Sequence, residues 1–341
     1  MNEYKKILET LEDTPCLALE RRWTGTEGSL GQMDRRLVKR EEASAVGQQA
    51  LEQGLPVCEQ TESGWEMAEP FFPKERLIIL GGGHVALPVA EFGARVGFLV
   101  TVVDDRLSFA NPGRFPMAEK VVCDDFCHAI EELKIQESDY VCIITRGHRH
   151  DADCLRMIGK GKEPAYLGMI GSRRRVAIVK EGLLEEGYDA KRLGRLHSPI
   201  GLRIGGVTPE EIAISILAEI IEVKRLSRED KRVKNCSDLD FDVLRRLAEE
   251  TDVPKAVVTV VSSKGSSPRG AGAKMLVYRD GQILGSIGGG CSEAAVLGDA
   301  RLLIGSGRFK VIHVDMTAEA AEEEGMVCGG VMDVLVEDYG V

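Results

Sequence analysis

The sequence predicts an α/β fold, and three features carry that expectation. Five short apolar runs alternate with helical patterns through the middle of the chain, the arrangement that builds a parallel sheet with crossover helices. The first run ends in Gly81-Gly82-Gly83-His84-Val85-Ala86. This G-x-G-x-x-A turn lets backbone approach a pyrophosphate and aims a helix N-terminus at it. The second run ends in Asp104-Asp105, about twenty residues on, where a ribose-binding acid belongs. Together these features specify a Rossmann-type domain whose ligand crevice opens at the glycine turn, followed by a small α+β domain.

Three segments are expected: 1–73, 74–227 and 238–341. The first is polar and glycine-containing, with Pro70-Phe71-Phe72-Pro73 as its exit linker. In the second, strands are expected at 77–80, 99–103, 120–123, 140–145 and 165–170. A helix from 209 to about 225 carries Ile212, Ile216, Ile220 and Val223 at helical spacing. Thr208 is its N-cap, with Glu211 three residues on. In the third, Asp240 caps a helix through 250. A strand follows at 256–262, then a hairpin of 274–278 and 282–286 around Arg279-Asp280-Gly281. Gly288-Gly289-Gly290-Cys291-Ser292-Glu293 opens a helix to about 304, and strands follow at 310–314 and 331–337. The first segment reads as a reduced relative of the third. Both start with a helix and a Thr/Pro turn, and both carry a Gly-Ser turn (Gly28-Ser29, Gly265-Ser266).

Composition excludes several classes. Aromatics are only 5% of 341 residues, too few for a base-stacking nucleic-acid surface. A net charge of −11 disfavours non-specific binding to DNA or anionic membranes. No apolar run reaches the length of about 18 residues that a membrane span needs, and the N-terminus lacks a signal-peptide core. Nine cysteines without a C-x-x-C pair imply reduced thiols in the cytoplasm and no zinc ribbon. No P-loop and no G-x-S-x-G elbow occurs.

Candidate site residues cluster where strands should end. In a doubly wound sheet, strands one and four are neighbours at the switch point, so His84, His148, His150 and Asp151 are expected to converge. They suit a metal such as zinc, iron or manganese, or an anionic ligand or acid–base work, or plain loop capping. His197 falls near a sixth strand. Ser172-Arg173-Arg174-Arg175 follows strand five and suits bidentate phosphate binding or a solvated helix start. Cys291 precedes a helix, where thiol pKa falls. Cys328 lies beside Gly329-Gly330, which allow close approach. Both suit thiol ligands or sulfur carriers, or small residues in tight turns. The other cysteines (16, 58, 123, 127, 142, 154 and 236) read as structural. The loop 266–274, with Arg269, suits an anion-binding nest or a simple connection.

These blocks resemble the XdhC/CoxI family of accessory proteins for molybdenum hydroxylases. The resemblance runs through Gly-Gly-Gly-His-Val-Ala at 81–86, Val-Asp-Asp-Arg at 103–106, Thr-Arg-Gly-His-Arg-His-Asp at 145–151, Gly-Met-Ile-Gly-Ser at 168–172 and His-Ser-Pro-Ile-Gly-Leu at 197–202, into Thr-Pro-Glu-Glu-Ile-Ala at 208–213. It continues through Gly-Ser-Ser-Pro-Arg-Gly-Ala-Gly-Ala-Lys-Met at 265–275, Gly-Gly-Gly-Cys-Ser-Glu at 288–293 and Met-Val-Cys-Gly-Gly at 326–330. In the family the Cys-Gly-Gly domain commonly precedes the Rossmann domain, whereas here a complete copy follows it.

The resemblance implies a non-enzymatic chaperone that binds molybdenum cofactor (molybdopterin), supports its sulfuration and delivers it to a xanthine dehydrogenase or CO dehydrogenase-type hydroxylase. Gly81, Gly82, Gly83, His84, Asp104, His148, His150, Arg173 and Arg174 would hold the phosphorylated pterin or a nucleotide or dinucleotide form. Cys291 and Cys328 would face molybdenum or relay sulfur. The implied partners are the hydroxylase, a cysteine desulfurase-type sulfur donor and a second copy of the chain as homodimer. An NAD(P)-dependent oxidoreductase is the alternative, from the glycine turn and Asp104, although no hydride-transfer set is evident. A protein-binding adaptor is the third reading.

Overall fold

A computed structural model describes residues 2–61, 64–226, 235–250, 252–265, 267, 269–315 and 330–340, apart from the side chain of Cys291. The chain divides into two compact units, Lys74–Arg232 and the pair Met1–Pro73 with Val233–Val341. In chain order the first segment holds α1 (Glu3–Leu11), β1 (Leu17–Trp23), β2 (Glu27–Ser29), β3 (Asp34–Val38), α2 (Ala45–Gln53), β4 (Val57–Thr61) and β5 (Gly64–Phe71). The middle unit holds β6 (Arg76–Leu80), α3 (Ala86–Arg95), β7 (Leu99–Asp104), β8 (Lys120–Cys123), α4 (Phe126–Leu133), β9 (Tyr140–Ile143), α5 (His148–Lys160), β10 (Tyr166–Met169), α6 (Arg173–Glu185), α7 (Ala190–Gly194) and α8 (Pro209–Leu226). The last segment holds α9 (Phe241–Glu249), β11 (Lys255–Gly265), β12 (Lys274–Tyr278), β13 (Ile283–Gly285), α10 (Gly290–Leu303), β14 (Arg308–Asp315) and β15 (Gly330–Tyr339). Among the described residues, no helix is long and apolar enough to cross a membrane.

The middle unit is a Rossmann-type sheet, parallel throughout, in the order β10-β9-β6-β7-β8. Its apolar strands face helices on both sides. Ile78 and Leu80 enter one core cluster, while Leu77 and Ile79 enter the other, as the two-residue period of a strand requires. The switch point lies between β6 and β9. Strand positions agree with the sequence reading to within one or two residues. The expected sixth strand is reduced to one bridge, Gly168 with His197. At the start of α8, the Glu211 amide donates to Thr208 Oγ1 at 3.2 Å. Glu211 Oε2 in turn accepts from the Thr208 amide at 3.0 Å, completing the expected capping box.

The other unit joins the two ends of the chain. The first segment forms a four-stranded sheet ordered β3-β1-β5-β4, and the last contains β12-β11-β15-β14 within a six-stranded sheet. All pairings within both are antiparallel. Apart from β2 and β13, each half runs helix, two neighbouring strands, helix and two closing strands, so the two follow the same path. Helix α1 packs on α9: Tyr4, Ile7 and Leu11 share one core cluster with Val243, Leu244 and Leu247. Strand β2 leaves the first half and pairs with β14 of the second.

Charged side chains are buried in this same core. Register places Glu69 opposite Leu19 and Arg35 opposite Arg21, two residues on. It places Glu337 opposite Val257 and Lys274 opposite Thr259, again two residues on. The halves then exchange ion pairs from these equivalent positions. Lys274 Nζ lies 2.8 Å from Glu69 Oε1, and Arg35 Nη2 lies 2.7 Å from Glu337 Oε1. Arg21, fully buried, bridges them: its Nη1 is 3.1 Å from Glu69 and its Nε 3.6 Å from Glu337. Burial pushes the Lys274 pKa down against the pull of Glu69. Burial would raise the Glu337 pKa, but Arg21, Arg35 and Lys274 hold it below the usual carboxylate value.

Removing one partner of a buried pair leaves the other charge uncompensated, at a cost of about 3–5 kcal/mol. Lys274→Met is therefore expected to lower the denaturant midpoint of this unit by a corresponding amount. Glu69→Gln combined with Lys274→Met is expected to recover much of the loss. Urea titration of the three chains, followed by circular dichroism, checks this.

Candidate functional site

The crevice is built on the C-terminal edge of the parallel sheet. Gly81 has φ +119°, and a Cβ there would fall 2.2 Å from the carbonyl oxygen of Ile144. A Cβ on Gly82 would fall 2.1 Å from the carbonyl oxygen of Phe109. The glycines are thus required by close packing of the turn against the chain after β9 and after β7. Gly83 has nothing within 4 Å of its Cβ position, so the turn is open there. Neither Val85 before α3 nor Gly147 before α5 makes a side-chain cap, which leaves first-turn amides of both helices without that partner.

Asp104 ends β7 and is buried. Its Oδ2 accepts from the Gly82 amide at 2.8 Å and from Arg106 Nη2 at 3.0 Å. Its Oδ1 accepts from the Arg106 amide at 3.1 Å and from Arg106 Nε at 2.8 Å. Burial raises the Asp104 pKa, but the Arg106 side chain and the two amides outweigh it, so the carboxyl sits below its usual range. The Arg106 guanidinium lies 3.8 Å over the Phe109 ring. Arg114 donates to the carbonyl oxygens of Gly82 at 3.1 Å and Gly83 at 3.3 Å. Arg146 forks onto Asp105 at 2.7 and 2.8 Å. Sequence reasoning did not single out Arg106, Arg114 or Phe109. The signal available was their basic and aromatic character in the loop after β7.

Among the described residues, no three His, Cys, Asp or Glu side chains come together to hold a metal. Asp151 is fully buried and accepts from Thr145 Oγ1 at 2.5 Å and from Arg175 Nη2. Burial raises its pKa, with Thr145 and Arg175 opposing. His150 packs edge-on against Phe126 at 5.6 Å, while His84 and His148 are exposed. Among the described contacts, no hydrogen bond or ring contact joins the three imidazoles. His197 is held by Glu219 at 3.3 Å and lies over Tyr166 at 4.7 Å.

Helix α6 begins with Arg173, Arg174 and Arg175, capped by Ser172 Oγ on the Arg175 amide. No acidic residue occupies its first turn. Arg173 and Arg174 are exposed and make no ion pair among the described residues. Cations at a helix N-terminus oppose the macrodipole, and a bound anion would relieve that conflict.

In the other unit, Gly288, Gly289 and Gly290 have φ of +136°, +72° and +50° and lead into α10, with Cys291 in its first turn. Glu293 braces this turn, a role the sequence did not reveal. Its Oε1 accepts from Ser286 Oγ at 2.6 Å and from the amides of Gly289 at 3.0 Å and Ile287 at 3.3 Å. Cys328 lies outside the described residues. In the 266–274 loop, the anion held is the chain's own Asp238. Its Oδ2 accepts from Arg269 Nε at 2.6 Å and from the Gly270 amide at 3.0 Å. Of the remaining cysteines, Cys16, Cys58, Cys127, Cys142 and Cys154 have thiol pKa values raised by burial, Cys58 to about 12, which lowers their thiolate fraction at neutral pH.

Residues 77–220 match the XdhC Rossmann domain, and residues 248–315 match the XdhC and CoxI family. The protein YqeB of Escherichia coli K12 is 37% identical over 152 residues, 44% of this chain and 28% of that protein. A probable xanthine dehydrogenase subunit of Bacillus subtilis 168 is 30% identical over 153 residues, 45% of this chain and 44% of its own length. The molybdenum cofactor insertion chaperone PaoD of Escherichia coli K12 is 43% identical over 57 residues, 17% of this chain and 18% of that protein. The chain thus spans less than half the length of each of these relatives. The crystal structure of a protein described as a xanthine dehydrogenase from Bacillus halodurans superposes with a TM-score of 0.52 at 25% identity, covering 66% of this chain and 64% of that one.

Asp104→Asn cannot accept from four donors, and is expected to cost about 1–3 kcal/mol of stability at neutral pH. The folded-state pKa of Asp104 lies below its usual value. Its stabilisation is therefore present above the ordinary carboxylate pKa and lost as pH falls through the lower folded value. The acid limb of the stability curve should be shallower in Asp104→Asn than in the parent, measured by urea unfolding between pH 7 and pH 3.

Proposed function

Because the chain belongs to the XdhC and CoxI family, we propose that it is an accessory chaperone that binds molybdenum cofactor, supports its sulfuration and hands it to a xanthine dehydrogenase-type hydroxylase. The observation that carries this reading is the edge of the parallel sheet. There the open Gly81–Gly83 turn, the starts of α3 and α5 and the exposed Arg173 and Arg174 of α6 offer donors to a phosphorylated ligand. The donor set fits a phosphorylated pterin or its nucleotide form: arginines and backbone amides grip phosphate without discriminating what it is attached to. The named relatives support the same direction, PaoD as a cofactor insertion chaperone and the Bacillus subtilis protein through its link to xanthine dehydrogenase.

In this reading Cys291 and Cys328 meet the molybdenum or relay sulfur to it, and Glu293 fixes the turn that presents Cys291. A cysteine desulfurase-type donor supplies the sulfur, and the protein acts in the cytoplasm, with a homodimer as its assembly. The first segment is a reduced copy of the last, supported by their common strand order; it lacks a counterpart of Gly-Gly-Gly-Cys. An NAD(P)-dependent oxidoreductase is the weaker reading, because no hydride-transfer set accompanies the turn.

Purified protein mixed with molybdenum cofactor is expected to retain it on gel filtration. Cys291→Ala and Cys328→Ala are each expected to weaken retention by about tenfold, roughly 1.4 kcal/mol. A parent protein that elutes without cofactor overturns the proposal. Turnover of NAD or NADP would favour the oxidoreductase instead.

A further inference from the structure

We propose that the sugar-binding end of the Rossmann crevice selects a phosphate monoester in place of a free ribose hydroxyl, with Arg106 as the selecting residue. The inference rests on the reading of this crevice as a nucleotide holder and names the ligand class it takes. In Rossmann domains an acid at the end of the second strand accepts a hydrogen bond from the ribose 2′-hydroxyl, whereas an arginine nearby accommodates a 2′-phosphate. Asp104 occupies the acid's position, but its two oxygens already accept four hydrogen bonds, from the Gly82 amide, the Arg106 amide and two Arg106 side-chain nitrogens. A carboxylate has about four lone-pair sites, so Asp104 has none left for a hydroxyl.

The same contacts aim the arginine. Asp104 engages only Nε and Nη2 of Arg106, and Phe109 covers one guanidinium face. Arginine carries five N–H donors in a fixed plane, so Nη1 remains available. The Arg106 side chain is 34% exposed, so this cation is reachable from solvent. Arg114 adds a second cation against the turn. It is spent on carbonyl oxygens of Gly82 and Gly83, and no carboxylate among the described residues neutralises it. Arg146, by contrast, commits both terminal nitrogens to Asp105. Asp105, 3.7 Å from Arg106 Nε, is held by the Arg146 fork, so at the acid position itself Asp104 is filled while Arg106 Nη1 stays free, which suits the oxygens of a phosphate better than a hydroxyl.

The probes are ADP-ribose and 2′-phospho-ADP-ribose, titrated calorimetrically into the full chain. The parent is expected to bind the phosphorylated probe at least tenfold more tightly, with the preference shrinking as salt rises. Arg106→Ala removes the cation and frees Asp104, so the preference should fall to about one or reverse. Arg106→Gln keeps a donor towards Asp104 and serves as the second variant if the first does not fold, with the same loss of preference expected. Equal or tighter binding of ADP-ribose by the parent overturns this inference and leaves the nucleotide crevice standing. Binding of neither probe overturns both. A preference unchanged in folded Arg106→Ala or Arg106→Gln removes Arg106 from the role.

Discussion

The unit formed by the two chain ends depends on a buried set of charges. Arg21, Glu69 and Lys274 are fully buried, and Glu337 is nearly so. Arg21 and Glu69 pair within the first half, and Lys274 with Glu69, Arg21 with Glu337 and Arg35 with Glu337 pair across the two. Taken alone, the last half would leave Lys274 without Glu69 and Glu337 without Arg21 and Arg35, and losing the partner of a buried charge costs several kcal/mol. Together Arg21, Arg35 and Lys274 face Glu69, Glu337 and Glu3, so the formal charges balance. Such pairs add little net stability over apolar residues, but they are intolerant of misalignment. They specify which strands face one another while the apolar contact between α1 and α9 supplies the driving force.

A comparable economy governs the crevice. One carboxylate, Asp104, holds the glycine turn through Gly82 and the following loop through Arg106. Phe109 belongs to that loop, and its carbonyl oxygen lies where a Gly82 Cβ would go. The glycine turn, the acid and the arginine are therefore one structural element, drawn from residues more than twenty positions apart. Asp151 acts similarly towards Thr145 and Arg175 across the ends of β9 and α6. At both places a buried acid fixes an arginine at the sheet edge; these pairs are formally neutral, and the cations that add positive charge at this edge are Arg114, Arg173 and Arg174, which make no ion pair among the described residues.

Much of this was legible in the sequence, and the reason is local. Strand runs such as Leu77-Ile78-Ile79-Leu80, the Thr208/Glu211 cap and the glycine turn before α3 depend on residues only a few positions apart, and each appears where the pattern placed it. The first segment was less legible. Its strands carry buried charge, as Arg21 and Glu69 do, so the usual alternation of apolar and polar residues is broken where the burial is deepest. The weak repeat signal between Gly28-Ser29 and Gly265-Ser266 understated a shared strand order that register makes plain.

The sequence by itself determined the Rossmann sheet, its switch point and the resemblance that points to molybdenum hydroxylase maturation, because periodicity, turn chemistry and motif spacing are written along the chain. Only the tertiary structure decided the partners. It set His150 against Phe126, gave Asp151 to Arg175 and Asp238 to Arg269, and filled Asp104 with Arg106 and Gly82. A carboxylate's role depends on which donors reach its oxygens. That is set by how distant strands and loops close on one another, which no spacing along the chain records.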